Sequence, residues 1–184
     1  AAYAPIAIRV FGSIHIHDWV KLTMVRSLIL SKLLFNIHIV VPTKALVKRI
    51  GSVYMRALRR IHGDARCAKT DFSDLQLRMR MFAPSVDCLM MRARMRYVRR
   101  LLCARPRELL AVLAMPSARG KLPWVAQIQH DFCHVWQHVL PNTPYALPDP
   151  MADANANTWS DFIKGAGGTW DDLVESIYFC ESIA

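Results

Sequence analysis

The sequence predicts a mostly α-helical protein: a basic helical bundle with a short N-terminal β-hairpin and a loop-rich acidic C-terminal segment. Three observations predict it. Apolar residues recur at helical spacing over residues 43–62 and 85–103. Capping residues, prolines and Gly63 bracket the periodic stretches. Alternation of the strand type is confined to the first 17 residues.

The front end alternates Ile6, Ile8 and Val10, then Ile14 and Ile16 between His15 and His17, so a strand or hairpin turning at Gly12-Ser13 is expected. Asp18 is placed to cap a helix from Trp19, with Leu22, Val25, Leu28, Ile29, Leu33 and Phe35 or Asn36 on its apolar stripe. This helix has to end before Pro42, because a residue preceding proline avoids the helical region. Thr43 caps the clearest element, whose stripe is Leu46, Ile50, Val53, Tyr54, Ala57, Leu58 and Ile61. Gly63 follows where a left-handed residue ends a helix. A third helix covers Asp74 to Phe82 and stops at Pro84. Ser85 caps a fourth, with Val86, Leu89, Met90, Ala93, Tyr97 and Leu101 expected on the buried face. Pro106 suits the first turn of a fifth helix, Arg107 to Met115. A sixth runs from Pro123 to Val139, residues 141–158 read as an extended loop with four prolines, and a last helix starts at Thr169. The expected organisation is a basic helical domain over 1–115, a linker over 116–123 and an acidic helix-loop-helix tail over 124–184.

Charge sharpens that division. The chain of 184 residues carries a net charge of +10, but residues 1–124 hold +17 and residues 125–184 hold −7. A basic body points to polyanions, nucleic acid or an anionic membrane surface. The acidic part is free to fold onto the basic part and compete with a nucleic acid for it, so removing 125–184 is expected to strengthen binding. The most apolar run, Ser27 to Val41, is 15 residues long; at 1.5 Å per residue it falls short of the ~30 Å of a membrane core, so no membrane span is expected. Five cysteines, odd in number and without a CxxC pair, fit a reducing intracellular compartment, nucleus or cytoplasm. The chain begins with Ala, as a processed product or a fragment would.

Several constellations resemble chemical sites and are set aside on their residues. His130, His134 and His138 share one helical face, but the outer pair stand about 12 Å apart at 1.5 Å per residue and cannot hold one ion together. Asp153-x-Asn155-x-Asn157 opens like a calcium loop, yet Thr158 and Lys164 stand where Gly and Glu are needed. Gly165-Ala166-Gly167-Gly168 lacks the Lys-Ser/Thr ending of a phosphate loop and is followed by Asp171 and Asp172. That aspartate pair sits at a helix start, where the helix dipole stabilises carboxylates. No catalytic residue, metal or other cofactor is therefore expected.

The basic helices remain. Residues 44–60 carry six basic residues and no acid, and residues 92–107 carry seven and no acid. Solvated helix faces normally mix signs. Lys44, Lys48, Arg49, Arg56, Arg59, Arg60, Arg92, Arg96, Arg99 and Arg100 are the candidate contacts to an RNA or DNA backbone. The alternative is a structural subunit docking into a larger protein assembly through apolar faces, for which nine Met and five Trp are suited.

Three segments then resemble one family. Ser27-Leu28-Ile29-Leu30-Ser31-Lys32-Leu33-Leu34-Phe35, Tyr54-Met55-Arg56-Ala57-Leu58-Arg59-Arg60-Ile61-His62-Gly63, and Pro84-Ser85 with Arg92-Ala93-Arg94-Met95-Arg96-Tyr97-Val98-Arg99-Arg100-Leu101 are similar, in order, to helices that follow the polymerase core of LINE-type (non-LTR) retroelement reverse transcriptases. Phe11-Gly12-Ser13 stands about where the palm ends, and the resemblance covers residues 10–113. The Trp expected after the first helix is replaced by His38-Ile39-Val40-Val41, and no Cys/His zinc motif follows. The resemblance implies a thumb and connection region that grips the template–primer backbone. It also implies that fingers and palm, with the catalytic aspartates, lie upstream of residue 1, so the segment has no polymerase activity alone.

Overall fold

The computed structural model describes residues 7–63, 72–104, 107–114, 123–138 and 170–176. Every regular element among them is helical, so the protein is mostly α. The first is a single π-helical turn, Ala7–Phe11, followed by bends. Of the pattern read as a hairpin, residues 7–11 are thus helical and residues 12–17 form turns and a bend, with no strand among them. An isolated two-stranded hairpin is marginal in water. Burying Phe11 at 1 % exposure while Ile14 stands at 90 % abandons the alternation such a hairpin would need.

Helix α1 opens as Asp18–Met24, widens to a π-helical stretch Val25–Leu30 and closes as Ser31–Leu33. Asp18 does not cap it; His17 holds the cap position, and Asp18 pairs at 3.0 Å with Lys21, a buried lysine. The π stretch has a visible signature: the Ser31 N–H donates back to Arg26 O, five residues earlier. The wider turn slips the apolar phase, so Val25, Ile29 and Leu30 are buried whereas Leu28 and Phe35 are exposed. Asn36 then takes a left-handed φ of 58°, which Asn tolerates better than most residues, and a short 3₁₀ turn Ile37–Ile39 follows.

Helix α2, Lys44–Ile61, forms as its sequence predicts. Thr43 Oγ1 accepts the Leu46 N–H at 3.3 Å, and Gly63 supplies a φ of 91° after the last turn. Helix α3, Asp74–Arg80, starts with a capping box in which Ser73 and Gln76 satisfy each other's backbone N–H. Its end places Phe82, not glycine, at a left-handed φ of 48°. The Phe82 and Ala83 N–H groups close back onto Met79 O and Arg78 O. Left-handed backbone costs an L-residue about 1–2 kcal/mol, and the Phe82 ring is exposed, so it recovers little by packing. Phe82→Gly is therefore expected to stabilise the protein by about 1 kcal/mol after the entropic cost of glycine, read as a higher thermal midpoint.

Helix α4, Val86–Ala104, is the longest, and α5, Arg107–Ala114, α6, Pro123–His138, and α7, residues 170–176, complete the described elements. The linker residues 116–122, the loop 141–158 and the Thr169 cap lie outside the described residues. The buried face of α4 includes Val86, Met90 and Leu101, as expected, and extends round the helix to Cys88, Met91, Met95 and Val98. Leu89, Ala93 and Tyr97, expected on that face, are only half-buried, so its centre is turned away from them.

The chain divides into two compact units. Unit 1 comprises Ala1–Phe35 and Pro42–Asp87; unit 2 comprises Asn36–Val41 and Cys88–Ala184. In unit 1, α2 packs against the first π-helical turn, α1 and α3. Ile50, Tyr54, Ala57, Leu58 and Ile61 meet a core that includes Phe11, Val25, Ile29 and Leu77. The core of unit 2 gathers Cys88, Met91, Met95 and Val98 of α4, Ile128, Phe132 and Val135 of α6, and Trp170, Leu173 and Val174 of α7. Trp170 anchors it: its ring is fully buried, meets Phe132 edge-on at 6.2 Å between centroids, and its Nε1–H donates to Met95 O at 3.3 Å. No helix among the described residues is long and apolar enough to cross a membrane.

Candidate nucleic-acid interface

On α2, burial and charge separate cleanly. At about 100° per residue, the buried Ile50, Tyr54, Ala57, Leu58 and Ile61 fill an arc of roughly 100°, and the six cations fill a separate arc of roughly 160°. Lys44, Lys48, Arg49 and Arg56 are exposed and form no ion pair among the described residues. Arg59 and Arg60 are half-buried, and Arg59 is held by Asp74 at the start of α3.

The arginines of α4 stand in a different environment. Arg92 and Arg96 share the Glu175 carboxylate, and Arg99 pairs with Asp171. Both acids belong to α7, whose other side carries Trp170, Leu173 and Val174 into the core. The i, i+4 spacing of Asp171 and Glu175 lays them one turn apart along the arginine row. Arg100 is exposed, and its guanidinium helps to hold His38 below the ordinary histidine range, after the larger effect of burial. His38 itself packs on Tyr97 at 4.2 Å between ring centroids, and its carbonyl accepts the Trp124 Nε1–H at 2.8 Å.

Two charged residues were not legible as partners. Arg94 and Asp131 are 4 % and 2 % exposed and face each other in a two-pronged pair at 2.6 and 3.0 Å. Gln127 Nε2 adds a donor to Asp131 at 3.1 Å. The available signal was the i, i+4 spacing of Gln127 and Asp131 on an otherwise apolar stripe of α6. Among the described residues His130 is exposed, His134 is half-buried, and no group of three His, Cys, Asp or Glu side chains could hold a metal.

The ten candidate cations thus fall into two sets, the α2 set in unit 1 and the α4 set in unit 2. The α2 set presents four cations without acidic partners among the described residues. Three of the four α4 candidates already hold carboxylates. The expected contact between the acidic segment and the basic part is found between α7 and α4. The expected gain from deleting 125–184 is not supported by the packing: that deletion removes six of the ten buried residues in the unit 2 cluster. Comparison of the chain with protein-family models, curated proteins and solved structures gives no match.

Proposed function

We propose that the protein is a nucleic-acid-binding helical segment, without catalytic activity of its own, that contacts the phosphate backbone through the outward face of α2. One observation carries this reading: six cations and no acid lie on that face, opposite a buried apolar stripe. Lys and Arg on a helix face reach phosphates and carry no base code, so binding to RNA or DNA has little sequence preference. The likeness of residues 54–63 and 84–101 to reverse-transcriptase thumb helices supports the same assignment.

The test is a salt titration of duplex DNA and single-stranded RNA binding. With about six phosphates neutralised, log K is expected to fall with log salt at a slope near −5 for the duplex and −4 for the single strand. Replacing Lys44, Lys48, Arg49 and Arg56 together by Gln should flatten the duplex slope by about 3–4 units and weaken binding alike for unrelated sequences. Absence of binding at low salt would defeat the proposal. Binding with an unchanged slope in the quadruple variant would move the contact off α2. The second reading, a docking subunit of a larger assembly, is favoured by the exposed Trp19, Phe35 and Ile14 of unit 1. It gains if nucleic acid does not bind.

A further inference from the structure

Asp171 does more than neutralise Arg99. It lines an open cleft of about 570 Å³ whose other walls, among the described residues, are Arg96, Arg99, Arg100 and Cys103 of α4. Positions 96, 99, 100 and 103 follow one another at i, i+3, i+4 and i+7, so a single helix face turns all four side chains toward the same space. Arg96 and Arg99 each commit one terminal nitrogen to a carboxylate. A guanidinium has five N–H donors in a fixed fork, so both retain donors for a second oxyanion. Arg100 is exposed and forms no ion pair among the described residues. With Arg92 and Glu175 included, four guanidiniums face two carboxylates, a net charge of +2.

We infer that this cleft binds a phosphate group, supplied either by the end of a nucleic acid or by a free inorganic polyphosphate. Three convergent guanidiniums suit a tetrahedral, multiply charged oxyanion, which accepts paired N–H donors. They repel metal cations. The volume lies within the range of small-ligand sites. The half-exposed Asp171 and Glu175 pair with the arginines, and an entering phosphate takes over part of their role. The inference is carried by unit 2 alone and does not rest on the reading of α2.

Cys103 supplies a reporter inside the cleft, and Cys133, in the same unit but not among the cleft's lining side chains, an internal reference. The full-length chain is alkylated with iodoacetamide, an uncharged reagent, with and without inorganic tripolyphosphate at constant ionic strength, and each cysteine is quantified by peptide mass mapping. Tripolyphosphate is expected to slow alkylation of Cys103 saturably and to leave Cys133 unchanged. Arg100→Gln should raise the half-protecting concentration by roughly tenfold or more. Asp171→Asn should lower it, because a competing carboxylate is gone; a purely structural role for that pair predicts no such gain. The α2 quadruple variant should protect as the parent does, which separates this site from the proposed backbone contact. An oligonucleotide with a 5′-phosphate that outperforms its dephosphorylated form assigns the site to nucleic-acid ends. Protection by tripolyphosphate alone assigns it to free polyphosphate. The inference falls if no phosphate compound protects Cys103, if Cys133 is protected equally, or if Arg100→Gln, folded by circular dichroism, protects like the parent.

Discussion

Asp131→Ala is expected to destabilise unit 2 by about 3–5 kcal/mol, a large part of the ~5–15 kcal/mol that holds a typical domain together. Arg94 and Asp131 are both almost fully buried, and the carboxylate is the only acidic partner Arg94 has among the described residues. Removing it leaves a guanidinium in a low-dielectric interior beside Met91 and Met95, with Nη1 already lacking a partner among the described residues. The pair as a whole is a different matter. Desolvating two charges offsets much of their attraction, so Arg94→Met with Asp131→Leu should recover most of the loss and can exceed the parent stability. Urea unfolding followed by tryptophan fluorescence reads both variants. A cost below about 1 kcal/mol for Asp131→Ala would mean that the pair is hydrated, as surface pairs are.

Trp170→Ala carries the other large effect. The indole is fully buried among residues of three helices, and its N–H is satisfied by Met95 O. Truncating a buried Trp costs about 3–5 kcal/mol in lost transfer energy and cavity formation. Ending the chain at residue 124 is more severe, since Ile128, Phe132, Val135, Trp170, Leu173 and Val174 leave together and Met95 and Val98 lose their cover. Both variants should lose cooperative melting of unit 2 while the salt-dependent binding proposed for the α2 face, in unit 1, is unaffected. A truncated chain that melts as cooperatively as the parent would show that α6 and α7 add charge but no core. Glu175→Gln and Asp171→Asn are the better probes of the arginine cover, because they remove charge and leave the apolar side of α7 in place.

What the sequence made legible follows the physics of each element. α2 was readable because its stripe, its Thr43 cap and its Gly63 stop agree; Ile50, Tyr54, Ala57, Leu58 and Ile61 are buried where the period puts them, while Leu46 and Val53 of the same stripe are half-buried. α4 was readable as a helix but only partly in its rotation. Three methionines and an arginine occupy the interior side, and an arginine reads as solvated until its partner, 37 residues away, is known. α1 misled through its π stretch, which shifts the phase of a pattern scored at 3.6 residues per turn. The front end misled because alternation of Ile with His and Arg fits a strand locally, while the burial of Phe11 against α2 is decided by tertiary contact. At the candidate interface, composition located all ten cations but could not tell which carboxylates would reach them. The α7 acids lie 72 to 83 residues from their arginines, and no local rule spans that distance.

The segment Asn36–Val41 gives the chain an interleaved order: it belongs to unit 2 but is spelled out between two stretches of unit 1. The bond from Trp124 to the His38 carbonyl spans 86 residues. By loop-closure entropy, bringing such ends together costs about 3 kcal/mol more than closing one helical turn. During synthesis, residues 36–41 emerge long before Tyr97 and Trp124 exist to receive them. Unit 1 can complete its local contacts first, so this short segment is among the last pieces to find its place, and no single cut through the chain yields both units whole.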